Sequence, residues 1–385
     1  MTVRRSILTS AALLVPVLVP ALGRTATPVE VVKIGHVAAT SGAVAYFGKD
    51  NENGARMAVE LLNARGTKIG GKPVRFELVA EDDAGDPKQA TAAAQKLVDA
   101  KVNAVIGHQT SGTTIPASKI YFDNGIPQIS PSATSPQYTA QNFNTAFRVV
   151  SNDKQLGRAL GRYAVSGMKA KRVAIVDDRT AYGQGVAVEF VKGLKEAGAT
   201  VVAKEFTTDK AVEFSAILTR IRASKPDLVF FGGMSSVAGP MLHQMKALGL
   251  GNTKFIGGDG ICSDEIVKLS QGAIVDDQVV CAEAGGVEAS GKAAMDQFRA
   301  DYKKRYGIDV QIYSPYTYDA VLTVADAMAK AGSTAPAKYL PELAKISHKG
   351  VTGTIAFDKL GDIRDGTLTL YTFKGGRRTL VAVTK

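Results

Sequence analysis

Residues 102–130 read VNAVIGHQTSGTTIPASKIYFDNGIPQIS. A short apolar run over 102–108 gives way to a loop of small hydroxyl residues, then to helical spacing over 114–124, then to a second apolar run over 126–130. Two parallel strands need a crossover between them, and a helix is the usual one, so this order reads as one strand–helix–strand unit of a parallel sheet. The unit recurs outward in both directions. Strands are expected at 29–37 and 74–83, with helices at 49–64, whose inner face carries Ala55, Ala58, Val59 and Leu62, and at 87–100. Farther on, runs at 172–178, 200–206, 227–233 and 254–258 alternate with helical patterns near 184–197, 212–223 and 238–248. Near-continuous apolar strands imply sheets covered by helices on both faces. The fold class is therefore α/β, with two doubly wound, Rossmann-like lobes. A charged helix is expected at 291–306 and a buried one at 313–332, followed by a hairpin-like pair, 352–358 and 368–374, around Gly361-Asp362. That tail is too short for a core of its own. It is expected to fold back on the two sheets, so that the lobes are discontinuous.

Composition narrows the function. The 385 residues are 45% hydrophobic and 22% charged, an ordinary globular profile that excludes a disordered chain, a collagen-like repeat and a polytopic membrane protein. The net charge of +11 is spread along the chain with no dense basic block, so no nucleic-acid partner is expected. Residues 1–26 carry Arg4 and Arg5, an apolar stretch from Ile7 to Leu22 broken by Pro16 and Pro20, and small residues at its end. That is the pattern of a secretory signal peptide rather than a spanning helix, and it predicts an exported, periplasmic protein. In such a compartment the two cysteines, Cys262 and Cys281, are expected to form a disulfide, with two separate buried thiols as the alternative. The four histidines are scattered, and neither a metal nor a cofactor is expected.

Open parallel sheets hold ligands beyond the carboxyl ends of their strands, which directs attention to the loops just after 37, 83, 108, 130, 178, 233 and 258. After 102–108 comes Gln109-Thr110-Ser111-Gly112-Thr113-Thr114, with Ser111 read as the helix N-cap beside free N–H groups that suit a carboxylate. After 126–130 comes Pro131-Ser132-Ala133-Thr134-Ser135-Pro136, a rigid loop with exposed polar groups. In the second half, Asp259 stands between glycines after 254–258, a carboxylate suited to an ammonium, and Tyr182 offers an aromatic wall and a hydroxyl. Gly183-Gln184-Gly185 imitates the start of a dinucleotide fingerprint, but Val188 occupies the third glycine position. No nucleophile elbow, phosphate loop or Cys–His pair occurs, so the chain is not expected to be an enzyme.

Several longer stretches, NGARMAVELLNARG (53–66), EDDAGDPKQA (81–90), VIGHQTSGTTIPASKIY (105–121), ISPSATSP (129–136), DDRTAYGQG (177–185) and FFGGMSSVAGPML (230–242), resemble the branched-chain amino-acid-binding proteins of ABC transporters, the leucine/isoleucine/valine-binding type. The resemblance implies the type I periplasmic binding fold, two lobes on a three-strand hinge: lobe one 28–148 plus 284–366, lobe two 149–283 plus 367–385. It implies a small-molecule amino acid as ligand, an ABC permease as partner, and a monomer. By residue matching, Ser111 and Thr134 hold the ligand carboxylate, Ser132 or Ala133 offers a carbonyl to the ammonium, and Asp259 neutralises it from the other lobe. Phe47, Tyr182 and Tyr313 wall the pocket, with Tyr46 nearby. The chain departs from the family pattern at Asp259, where a glutamate is usual, and at Met234, in place of a pocket tyrosine. Ala84 and Thr110 stand where those relatives carry a disulfide. The alternative reading is a sensor of an amide, urea or other amino acid, reporting to a membrane receptor.

Overall fold

The computed structural model describes residues 1–2, 29–287 and 291–384. The expected signal peptide falls almost wholly outside the described residues. The chain builds its first sheet from β1 (Glu30–Ala38), α1 (Ala45–Ala64), β2 (Lys68–Ile69), β3 (Lys72–Asp82), α2 (Pro87–Asp99), β4 (Ala104–Gly107), α3 (Ser111–Asp123), β5 (Gln128–Ser130), α4 (Gln137–Ala140) and β6 (Ala146–Arg148). It builds the second from α5 (Asp153–Ser166), β7 (Arg172–Asp177), α6 (Ala181–Glu196), β8 (Thr200–Phe206), α7 (Ser215–Ala223), β9 (Leu228–Gly232), α8 (Ser235–Ala247), β10 (Lys254–Gly257), a 3-10 turn at Asp259–Ile261, α9 (Glu265–Leu269) and β11 (Val279–Glu283). Then α10 (Lys292–Tyr306), α11 (Ser314–Ala331), α12 (Pro336–Leu343), β12 (His348–Gly350) and β13 (Gly353–Ile355) precede β14 (Leu368–Lys374) and β15 (Arg377–Thr384).

Strand order is β2-β3-β1-β4-β5-β6 in the first sheet and β15-β14-β11-β10-β9-β7-β8 in the second. Pairs from β3 to β6 and from β8 to β11 are parallel, so the two halves repeat one topology, reversing direction beside β1 and beside β7. Side-chain alternation explains the layering. Val32 and Ile34 of β1 face a core shared with Ala55, Ala58 and Val59 of α1 and Val321 and Val324 of α11. Val37 faces the opposite way, against Ala93 and Leu97 of α2 and Ala117 of α3. In the second sheet Val173, Ile175 and Phe230 meet Leu160 of α5 and Phe190 of α6, while Ala174, Val176 and Phe231 meet Leu218 of α7 and Met241 of α8. Period-two strands buried on both faces are the physical basis of the doubly wound arrangement. Gly54 sets the closeness of α1 to α11, since a Cβ there would lie 2.2 Å from the Ser314 carbonyl oxygen.

The chain passes between the sheets three times, through 149–152, through a segment that begins at 284–287, and through 356–367. These segments are tied together: Ser151 N–H donates to Ala284 O (2.8 Å), Ser151 Oγ to Thr367 O (3.0 Å), and Thr367 Oγ1 to Gly286 O (2.7 Å). The expected C-terminal hairpin is corrected. Strand 353–355 pairs with 348–350, and 368–374 pairs with β11 and β15, leaving a single bridge, Phe357 to Ile363, around the anticipated turn. Alternation alone did not identify the partner, because β14 lies between β15 and β11, and β11 is far away in sequence. Among the described residues no helix is long and apolar enough to cross a membrane.

One buried cation organises the first lobe's loops. Arg148, 0% exposed, donates to Asp362 Oδ1 from Nε (2.9 Å) and from a second nitrogen, to Ala133 O (2.9 Å) and Ser135 O (2.8 Å), and to Thr139 Oγ1 (2.9 Å). Removing the charge while keeping the bulk strips the Ala133 carbonyl of its donor and the Asp362 carboxylate of its counter-charge, which costs more than the lost bonds themselves. Arg148→Met should lower unfolding free energy by about 3 kcal/mol or more in urea denaturation; a change below about 0.5 kcal/mol would contradict this account.

Candidate functional site

Both sheets present the carboxyl ends of their strands to a common cleft, the place where switch points of doubly wound sheets leave backbone polar groups free. A cavity there is lined by Phe47, Gln109, Thr110, Ser111, Ser132, Tyr182, Met234, Asp259 and Tyr313. Phe47 comes from α1, Gln109 to Ser111 from the β4–α3 turn, and Ser132 from the loop after β5. Tyr182 opens α6, Met234 precedes α8, Asp259 follows β10, and Tyr313 precedes α11.

Asp259 is 1% exposed and lies between two phenols: Tyr182 Oη donates to its Oδ1 and Tyr313 Oη to its Oδ2, each at 2.8 Å. Tyr182 Oη also accepts from Gly260 N–H (2.9 Å), which fixes its proton on the carboxylate side. Burial pushes the Asp259 carboxyl up to about 6, an increase only partly countered by the hydrogen bonds from Tyr313 and Tyr182. Above that pH the site holds a desolvated anion, the electrostatic complement of an ammonium group. Cys262, bonded to Cys281 of β11, follows the turn that carries Asp259 and ties it to the sheet.

Across the cleft, α3 begins at Ser111 with its free N–H groups at the positive end of the helix. Ser111 is the first helical residue rather than the expected N-cap; Thr110 caps with extended backbone, and its hydroxyl turns to Thr113 (3.0 Å). The Ser111 Oγ accepts from Ser135 N–H (3.1 Å), and Ser132 Oγ donates to Gln109 O (2.7 Å), so the two loops are stitched into one wall. Asp50 does the same for Tyr313. Its buried carboxylate accepts the N–H groups of Gln311, Ile312, Tyr313 and Ser314, anchoring the start of α11 to α1.

The sequence-derived residues divide into two groups. Ser111, Ser132, Asp259, Tyr182, Phe47, Tyr313 and Met234 stand together on the cavity wall. Phe47 and Tyr313 meet edge to face at 5.2 Å, and Tyr46 lies against Phe47 at 4.3 Å, outside the lining. Thr134 and Ala133 stand behind the wall. The Ala133 carbonyl is engaged by Arg148, and the Thr134 carbonyl by Asp153 N–H (2.9 Å). Sequence reasoning did not single out Gln109 and Thr110, although both stand in a flagged loop, nor Asp153. The Asp153 carboxyl is fully buried, and burial together with the charge of Asp259 pushes it up to about 8, with the neighbouring Thr134 hydroxyl countering part of the rise. An aspartate directly after an asparagine at a helix start reads as a capping residue, and nothing local signals its burial. Among the described residues no group of three or more His, Cys, Asp or Glu is placed to hold a metal ion.

A sequence profile for a family described as periplasmic binding protein matches residues 31–377. An amino acid binding protein of Pseudomonas aeruginosa is 36% identical over 88% of this chain and 89% of its own length. The leucine-specific-binding protein of Salmonella typhimurium is 35% identical, with 86% and 88% covered. The branched-chain amino acid transporter substrate-binding protein of Streptococcus pneumoniae, solved in complex with isoleucine, superposes with a TM-score of 0.82 at 27% identity, covering 92% of this chain and 99% of that one.

The phenols stabilise the charged form of Asp259, so removing them must favour the neutral acid. In Tyr182→Phe/Tyr313→Phe the Asp259 carboxyl should titrate above 6, upward by a unit or more, as followed by carbon NMR. An unchanged or lower midpoint would show that the phenols do not hold the charge.

Proposed function

The chain belongs to the periplasmic binding protein family, a family of solute-binding proteins rather than enzymes, and from that premise we propose that its cleft captures an amino acid and presents it to an ABC permease. Leucine, isoleucine and valine are the first candidates, because relatives are named for them. The observation that carries this reading is the pairing of opposites across one cleft: a desolvated Asp259 carboxylate faces the N-terminal turn of α3 with the Ser111 hydroxyl. A zwitterion satisfies both ends, and a neutral or purely anionic solute satisfies one.

In this reading the carboxylate docks on the Ser111 hydroxyl and the free N–H groups of the α3 turn, with Thr134 supporting that loop from behind. The ammonium meets Asp259 and the Ser132 carbonyl, since the Ala133 carbonyl is engaged by Arg148. Phe47, Met234, Tyr182 and Tyr313 enclose the side chain. The moving bodies are 28–148 with 284–366, and 149–283 with 367–385, turning on the three tied crossings. Because Tyr313 reaches Asp259 from the first lobe while Tyr182 reaches it from its own, a bound cation stabilises the shut form by differential affinity. Water leaves on closure, and each charge-assisted hydrogen bond strengthens in the lower dielectric. Residues 1–26 direct export, and the mature protein works as a monomer in the periplasm.

A thermal-shift screen of the amino acids tests the reading, because a ligand held by the folded state alone raises its melting temperature. Leucine, isoleucine or valine should give large shifts, and a flat response to every amino acid would overturn the proposal. By calorimetry, Asp259→Ala should weaken binding at least tenfold, about 1.4 kcal/mol or more. Affinity should also fall with acidity. The empty cleft binds a proton on Asp259 below about pH 6 and the ammonium requires the anion, so binding at pH 5 should be roughly tenfold weaker than at pH 7.5.

A further inference from the structure

The cavity wall carries one hydrogen-bond donor that the capture of a zwitterion at Asp259 and Ser111 does not account for. Gln109 is 4% exposed, and its Oε1 accepts from the N–H of Ala39, at the end of β1, at 3.2 Å. A backbone N–H can only donate, so the oxygen of this amide must be the atom on Ala39, and the NH2 group is fixed on the other side. That Nε2 is buried and has no hydrogen-bond partner. Among the described residues lining the cavity, it is the only buried side-chain nitrogen or oxygen in that condition. The others are engaged: Tyr182 and Tyr313 on Asp259, Ser132 on Gln109 O, and Ser111 on Ser135 N–H. The Gln109 backbone is held by Ser132 and its side chain by Ala39, so the amide cannot swing out to water without breaking a buried bond.

We infer that Gln109 is a specificity-determining residue whose amide NH2 reads a hydrogen-bond acceptor on the ligand side chain, so that the cleft prefers a hydroxyl- or carbonyl-bearing amino acid over the aliphatic one of the same shape. This deepens the amino-acid reading and rests on it. The physical basis is asymmetric. An aliphatic side chain closing over a buried NH2 leaves the donor desolvated and unpaired, whereas an acceptor of equal volume satisfies it. Sites built around a buried polar group discriminate against the analogue lacking the matching atom far better than apolar pockets discriminate by size. Phe47 and Met234 make the apolar part of the remaining wall, beside Thr110.

Threonine and valine are nearly isosteric and differ by one acceptor, so their affinity ratio isolates the effect. Calorimetry on the mature protein should show threonine binding about tenfold more tightly than valine. In Gln109→Leu and in Gln109→Met the ratio should fall to one or below, through tighter valine binding relative to threonine. Both variants strip the Ala39 N–H of its acceptor and lose some stability. The ratio is measured within each protein, and either variant that folds is sufficient. Valine binding as tightly as threonine in the unmodified protein, or a ratio that Gln109→Leu leaves unchanged, would overturn the assignment while leaving amino-acid capture intact. A uniform loss for both ligands in the variants, with the ratio preserved, would move the amide to the ligand carboxylate and equally overturn it. Failure of every amino acid to bind is a different result, and it removes the amino-acid reading itself.

Discussion

A carboxylate taken out of water is the constraint on which this molecule turns. Among the described residues no cation stands beside Asp259; it is held by two phenolic hydroxyls and by the backbone geometry of the turn it opens. Two neutral donors ease the burial of a negative charge without cancelling it, which is why its carboxyl sits near 6 rather than in the usual carboxylate range. One phenol belongs to α6 and the other to the segment before α11, so the site is complete only when the two sheets come together. A buried anion left without a counter-cation is costly, which is why an ammonium is the proposed occupant of this cleft.

The surroundings of Asp259 are held in place by three buried polar side chains, Arg148, Asp50 and His108, each engaged by several partners. Arg148 spends its donors on two loop carbonyls, a hydroxyl and Asp362, and so shapes the loop that carries Ser132. Asp50 gathers the N–H groups at the start of α11 and with them sets Tyr313. His108, just before the β4–α3 turn, is held between Asp83 (2.8 Å) and the Tyr121 hydroxyl (2.9 Å), all three buried. Each is a charge or dipole fixed in a low-dielectric interior, where a satisfied network stiffens its neighbours and an incomplete one is expensive. Among the described residues that line the cavity, the Nε2 of Gln109 stands out as a buried side-chain group not satisfied by the protein itself.

Strands and helices of the two sheets were legible because both periodicities are strong. Val173, Ile175 and Phe230 alternate with Ala174, Val176 and Phe231 between two covered faces, a pattern that any parallel sheet of this type imposes on its sequence. The loops were legible through the rule that places ligands at strand ends. The tail was not. Residues 353–355 and 368–374 look like partners because a turn lies between them, yet each pairs elsewhere, with β12 in one case and with β11 and β15 in the other. Sequence distance is a poor guide where a chain returns to a sheet it left some eighty-five residues earlier, from Glu283 to Leu368.

Taken by itself, the sequence determined the alternation of elements, the duplicated doubly wound plan, the loops that face the cleft and the residue types within them, all consequences of local period and local turn chemistry. Which atoms of those loops are free was decided only by the tertiary structure. Ala133 and Ser132 are neighbours with the same backbone carbonyl, but Arg148, folded in from the next strand, takes one of them. Gln109 is an ordinary amide until Ala39, seventy residues earlier in the chain, fixes its oxygen and leaves its buried nitrogen without a partner. Polar atoms are assigned by long-range competition for partners in a space without water, and no window of sequence contains that competition.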